Sequence, residues 1–158
     1  PLFDTSNVTS MSSAFGGCNS MITIPQLNTN KVTTMSGVFS GCQALTTIPL
    51  LDTSNVVNIS NAFQSCAKLT TFGGLRNLGQ GYTNTSSANI SSYTLTLSAS
   101  TKLTEQSIIN VLNNLYDIAT KGCKVQKVVL GATNLAKLTS EEGQQALSQA
   151  QSFGWSIS

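Results

Sequence analysis

The apolar positions in the first half of the chain recur at a fixed interval. Three segments align without a gap, each as long as the next: "DTSNVTSMSSAFGGCNSMITIPQL" (4–27), "NTNKVTTMSGVFSGCQALTTIPLL" (28–51) and "DTSNVVNISNAFQSCAKLTTFGGL" (52–75). Val8, Val32 and Val56 correspond, as do Met11, Met35 and Ile59, then Phe15, Phe39 and Phe63, then Cys18, Cys42 and Cys66. Met21, Leu45 and Leu69 follow, with Ile24, Ile48 and Phe72, and last Leu27, Leu51 and Leu75. A repeat of about 20 to 50 residues is the signature of a solenoid, whose units bury apolar edges against their neighbours. Val8, Met11 and Phe15 sit at i, i+3 and i+7, which predicts a short helix on the core. Asp4, Thr5 and Ser6 supply capping oxygens ahead of it. A turn, "GGC" in the first unit and "SGC" in the second, leads into short strands at 22–24 and 46–48, with a third at 70–72, and these strands would stack about 4.8 Å apart in a parallel sheet.

The phase extends in both directions. "PLF" at 1–3 lines up with "PQL" at 25–27 and "PLL" at 49–51, so further repeats of the same parent protein are expected N-terminal to residue 1. Gly73 and Gly74 mark the end of the regular pattern, and residues 76–92 read as an irregular loop. A strand at 93–98 follows one period after the preceding strand, in phase with it. Next comes a helix over "LTEQSIINVLNNLYDIA" capped by Thr104, then a strand at 124–131. Thr139 and Glu142 form a capping box for a last helix that buries Ala146, Leu147, Ala150 and Phe153. Gly143 inside that helix costs about 1 kcal/mol relative to Ala, and Gly154 stops it before a final strand, "WSIS". The expected fold is α/β. Repeats with short parallel strands on one face and short helices on the other span 1–75, including the tail of a preceding repeat. Longer strand–helix units over 93–158 cap the C-terminus of one continuous domain.

The "DTSNVT.M...F.GC..L..I" runs over residues 1–75 resemble the BspA-like leucine-rich repeats of bacterial surface proteins. That resemblance implies a leucine-rich-repeat solenoid used for display or adhesion rather than catalysis. The "GATNLAKLT" and "FGW" stretches resemble a terminal segment of leucine-rich-repeat surface proteins and phage-tail-associated proteins.

Composition narrows the chemistry. Only 9% of residues are charged, against roughly 25% in an average protein, while Ser and Thr fill 42 positions and Asn 14. A net charge of +2 without a basic run offers nucleic acid nothing to hold. No stretch approaches the roughly 18 apolar residues of a membrane span. With no histidine, a His-based nucleophile or metal site is excluded, and no cofactor is expected. Asp4 and Asp52 lie two units apart, with Asn28 between them. That arrangement leaves a paired-carboxylate hydrolase as a remote alternative to simple capping. Cys18, Cys42 and Cys66 form a column with parallel Cβ directions, which suits inert core thiols better than disulfides. Glycines in "GGLRNLGQG" lack the phosphate-loop order, and Lys121, Lys124 and Lys127 form a small solvated patch. Asn-x-Ser/Thr sequons begin at Asn7, Asn58, Asn84 and Asn89, a number that chance explains in so Asn- and Thr-rich a chain.

Thr23, Thr47 and Thr71, with Thr96 in phase, are the candidate binding face. They would form a row of hydroxyls on the exposed sheet, with Ile22, Thr46 and Thr70 beside it. The expected function is a non-enzymatic binding or adhesion module of an exported bacterial protein, extracellular or at the cell surface, engaging a protein or glycan partner. A structural or receptor-binding part of a phage tail, located on the virion, is the alternative. A threonine row that binds ice is a third use.

Overall fold

A computed structural model of the chain describes residues 3–83 and 94–158. It is a mixed α/β structure with short parallel strands and few helices. Element β1 (Thr47–Ile48) pairs in parallel with β3 (Thr71–Phe72), and β2 (Leu51–Asp52) with β4 (Leu75–Arg76). Isolated parallel bridges join Thr23 to Thr47, Ser10 to Thr34, and Thr34 to Asn58. The two partners of every pair are one full period apart, so each unit lies in register on the next.

The apolar columns meet as their spacing requires. Phe15 and Phe39 stack with centroids 5.4 Å apart, Phe39 and Phe63 at 5.7 Å, and Phe72 meets Phe63 edge-on at 5.0 Å. Val32, Met35, Phe39, Cys42, Leu45, Ile48 and Leu51 of the middle unit are all buried. In the first unit Val8, Phe15 and Met21 are only partly covered.

The expected helix over Val8–Phe15 is absent; turns occupy its place in all three units. The reason is a left-handed residue at every fourth position. Ser13, Gly37 and Asn61 have φ of +54°, +62° and +58°, and Gly17, Gly41 and Ser65 have +74°, +79° and +62°. Each such residue redirects the chain before an α-helical ladder can propagate. The backbone amides then alternate. Those of Ala14, Gly16 and Cys18 donate three residues back, to Met11, Ser13 and Phe15. Those of Met11, Ser13, Phe15 and Gly17 instead donate to Thr34, Ser36, Val38 and Ser40 of the next unit, at 2.7–2.9 Å. The second unit repeats the arrangement, from Met35, Gly37, Phe39 and Gly41 to Asn58, Ser60, Ala62 and Gln64. The turn side of each unit is therefore a hydrogen-bonded ladder in its own right.

Residues 76–83 are not an irregular loop. Leu78 is buried and bridged to Leu115, Gly79 lies against Trp155, and α1 (Gln80–Thr83) follows. A Cβ on Gly79 would stand 2.7 Å from the Trp155 ring, and one on Gly81 2.7 Å from the Val56 carbonyl, so close backbone approach explains these glycines. The remainder of the loop reading, 84–92, and the sequons at Asn84 and Asn89 lie outside the described residues.

Helix α2 (Glu105–Asn113) covers the far edge of the third unit. The Thr104 amide donates to the Thr70 carbonyl, the Phe72 amide to Ser107 Oγ, and Asn110 Nδ2 to the Phe72 carbonyl. Thr104 caps the helix as its side chain suggests, accepting from the Ser107 amide at 3.1 Å. The helix ends earlier than its apolar stripe implies: the Leu78 amide donates to the Asn114 carbonyl and the Leu78 carbonyl accepts from the Tyr116 amide, a parallel bridge that draws the chain after Asn113 into an extended path. Strands β5 (Thr94–Thr96), β6 (Gln126–Val129) and β7 (Trp155–Ile157) form a separate parallel sheet in that order, joined by a one-turn 3₁₀ segment, the short α3 (Ala132–Leu135) and α4 (Glu141–Ser152).

The cap of α4 is Ser140, whose Oγ accepts from the Gly143 amide at 3.0 Å, rather than Thr139. Glu105 on α2 fixes this choice. Its Oε1 accepts from the Thr139 amide, the Ser140 amide and the Ser140 hydroxyl, each at 2.8 Å. The glycine inside α4 is explained by the same carboxylate, which a Cβ on Gly143 would meet at 2.8 Å.

Candidate binding face

Parallel pairing brings Thr23, Thr47 and Thr71 into one row across three units. Thr23 and Thr71 are exposed and Thr47 half-buried. Among the described residues none of the three hydroxyls has an intramolecular partner. Their neighbours differ: Thr46 Oγ1 donates to the Ile22 carbonyl and Thr70 Oγ1 to the Thr46 carbonyl, both at 3.1 Å. One threonine column is thus consumed by holding units together, and the adjacent one is left to solvent. Thr96 does not join the row; it pairs with Val129 in the separate sheet. A sequence period carries its phase only while the units repeat, and α2 breaks the stack after β3.

A second polar feature lies at β2 and β4. Gln26, Asn28, Asn30, Asp52 and Arg76 line an open cleft of about 230 Å³, with Leu27, Thr29 and Leu50. Its walls draw on the first column of the units, which runs Asp4, Asn28, Asp52 and Arg76. The first three each close a turn by accepting an amide two residues ahead: Ser6 to Asp4 at 2.9 Å, Asn30 to Asn28 at 3.3 Å, and Ser54 to Asp52 at 2.9 Å. They cap turns, not helices. Hydrogen bonds from Ser6, its hydroxyl first and its amide second, hold the Asp4 carboxyl below the ordinary aspartate value. Asp4 and Asp52 thus serve their own turns in separate units.

Beneath this column lies one that spacing alone did not single out. Thr29 and Thr53 are buried, and with Thr5 they bond unit to unit. Thr5 Oγ1 accepts from the Asn28 amide at 2.8 Å, Thr29 Oγ1 accepts from the Asp52 amide at 2.9 Å, and Thr53 Oγ1 donates to the Arg76 carbonyl at 2.8 Å. The signal for it was an unbroken threonine column among otherwise mixed polar positions.

The four cysteines are free. Cys42 Sγ donates to the Phe15 carbonyl at 3.0 Å and Cys66 Sγ to the Phe39 carbonyl at 3.2 Å. Burial, with Cys42 alongside, pushes the Cys66 thiol up to about 12, and burial raises Cys42 as well. Cys18 is exposed. Among the described residues no cluster of His, Cys, Asp or Glu could hold a metal ion, and no helix is long and apolar enough to cross a membrane.

These features define a chain of equal-length units in parallel register, closed at one end by helix and sheet. Residues 2–103 match the family model described as "Mycoplasma protein of unknown function, DUF285", and the chain belongs to that family, one associated with BspA-like repeat proteins. No curated protein and no solved structure matches the chain.

Proposed function

We propose that the chain is a non-enzymatic binding module of an exported bacterial repeat protein. In this reading its units form a leucine-rich-repeat solenoid, and the exposed sheet face contacts a protein or glycan on another surface. One observation carries the reading: the in-register row of Thr23, Thr47 and Thr71, whose hydroxyls serve no intramolecular bond among the described residues while those of the adjacent column do. A row of solvent-facing donors and acceptors spaced about 4.8 Å apart matches repeating polar ligands, such as glycan hydroxyls or an extended peptide backbone. Charge adds little here, so recognition rests on hydrogen bonds and shape.

The test is a triple variant, Thr23→Val, Thr47→Val and Thr71→Val, which keeps β-branched shape and removes only the free hydroxyls. Glycan arrays and a library of surface-displayed proteins are screened with both chains. Binding by the parent that is lost in the equally stable variant supports the face. Binding unchanged in the variant, or no binding in either screen, overturns it.

A further inference from the structure

Asp52 and Arg76 are partners in the parallel register of β2 and β4, one rung and about 4.8 Å apart. Opposite charges so placed attract each other, yet among the described residues no ion pair joins them. The Arg76 guanidinium donates to no other described group. The Asp52 carboxylate is committed to its own turn instead: Oδ1 takes the Ser54 amide at 2.9 Å and the Ser54 hydroxyl at 2.6 Å, and Oδ2 is left over. Both residues line the cleft of about 230 Å³, whose walls span three successive rungs, at 26–30, 50–52 and 76. The side-chain amides beside them are oriented by their own bonds. Gln26 Nε2 donates to the Leu50 carbonyl at 3.3 Å, which leaves Oε1 as an acceptor. Asn28 Oδ1 accepts from the Asn30 amide at 3.3 Å, which leaves Nδ2 as a donor. The cleft thus offers two acceptors, Asp52 Oδ2 and Gln26 Oε1, and two donors, the Arg76 guanidinium and Asn28 Nδ2.

We propose that this cleft is a subsite for one neutral sugar ring, held through adjacent hydroxyls. Charge selects the class of ligand. An anion seated on Arg76 would also meet the Asp52 carboxylate one rung away, and a cation seated on Asp52 would meet Arg76, so a net charge gains on one side what it loses on the other. A hydroxyl escapes this conflict because it donates and accepts at once. One ring hydroxyl donates to Asp52 Oδ2 and accepts from Arg76, both charge-assisted bonds. Its neighbour on the ring donates to Gln26 Oε1 and accepts from Asn28 Nδ2. Half-buried Leu50 supplies an apolar wall for the C–H groups between them. Size points the same way. At about 230 Å³ the cleft is smaller than the roughly 300–1,000 Å³ that encloses a drug-sized molecule, so it seats a single ring. The subsite deepens the proposed binding function, and rests on that reading only for the chain being a binding module. It shares no group with the threonine row on β1 and β3.

The experiment is saturation-transfer NMR on the full chain with the methyl glycosides of glucose, galactose and mannose, and with glucuronate and alanine as charged probes. At least one glycoside should bind, and more tightly than either charged probe. Asp52→Asn turns the free acceptor into a donor and keeps the turn, which Asn28 already closes with an amide in the preceding unit. Arg76→Met removes the donors from a side chain that bonds nothing in the fold. Each substitution should weaken glycoside binding by roughly tenfold or more, with the unfolding midpoint of the Arg76 variant unchanged. Thr23→Val/Thr47→Val/Thr71→Val should bind the glycoside as the parent does. No glycoside binding to the parent overturns the subsite, even where the threonine-row screen succeeds. Tighter binding of glucuronate or alanine overturns it too. So does glycoside binding that survives Arg76→Met, or that is lost only in the threonine variant.

Discussion

Gly37 is where a helical and a turned first segment make opposite predictions. In a helix, Gly37→Ala would stabilise the chain by roughly 0.8–1 kcal/mol through propensity alone. Here Gly37 has φ +62°, and its Cβ would sit 3.3 Å from Ser13 Oγ, a side chain free to rotate. The left-handed conformation costs an L-residue about 1–2 kcal/mol. Restricting the unfolded chain returns about 0.4–1 kcal/mol. The expected net is a loss of about 1 kcal/mol, opposite in sign to the helical case. Urea unfolding followed through Trp155 fluorescence reads it directly; with a slope of about 1–3 kcal/mol/M, the midpoint should fall by roughly 0.3–1 M. The reciprocal change, Ser65→Gly at φ +62°, relieves the same strain and should raise stability by a few tenths of a kcal/mol. A Gly37→Ala chain more stable than its parent would refute the turn ladder.

Other consequences follow from the same contacts. Phe39→Ala removes a buried ring stacked on both faces and should cost about 3–5 kcal/mol, whereas Phe15→Ala, with one face stacked, should cost less than half as much by urea unfolding. Equal losses would contradict the graded burial. Iodoacetamide at about pH 8.5, the ordinary thiol value, should label Cys18 well before Cys66, whose thiol is pushed up to about 12 and reacts only after unfolding. Glu105 is held below the ordinary value of 4.5 by hydrogen bonds from the Ser140 amide and hydroxyl, with the Thr139 amide adding to them. Because its folded value is depressed, its contribution is complete above 4.5 and is lost as pH falls through the folded value. Glu105→Gln should therefore flatten the acid limb of a stability–pH curve; an unchanged limb would show that the carboxylate does not link α2 to α4.

Columns were legible because a fixed period needs no knowledge of local geometry. Phe15, Phe39 and Phe63 had to meet if units of equal length stacked at all. The local conformation was misread because Val8, Met11 and Phe15 satisfy a helical spacing that a chain of turns also satisfies. Its signature lay in two other columns, Ser13–Gly37–Asn61 and Gly17–Gly41–Ser65, where glycine and asparagine, the residues that accept positive φ, fill four of the six positions. Thr96 was placed in the row by spacing alone, but membership depends on backbone pairing, and α2 ends that pairing. Thr29 and Thr53 went unremarked because nothing in a single threonine announces that a neighbour's amide or carbonyl waits one period further on. The capping error at Thr139 has the same origin, since Glu105 lies in a different helix, far back along the chain.

The scarcity of charge follows from the stacking itself. A column of identical residues repeats about every 4.8 Å, and two like unit charges about that far apart repel by roughly 1 kcal/mol even at the dielectric of bulk water. Adjacent units avoid this: Asp4 is followed by Asn28, Asp52 by Arg76, and Lys31 stands between Asn7 and Asn55, with Lys31 Nζ donating to Asn7 Oδ1 at 2.8 Å. Asn28→Asp tests the rule with little change in shape, because Asp4 and Asp52 already close the same turn with a carboxylate. Three consecutive carboxylates would then share a column. The Asp52 neighbour alone should cost about 1 kcal/mol at pH 7 and low salt. Salt should recover part of that loss, since the Debye length of about 3 Å at 1 M is shorter than the rung spacing. Below the carboxylate range the penalty should vanish, because protonated neighbours do not repel. If Asn28→Asp were neutral at pH 7 in low salt, charge repulsion between units could not be what keeps these columns uncharged.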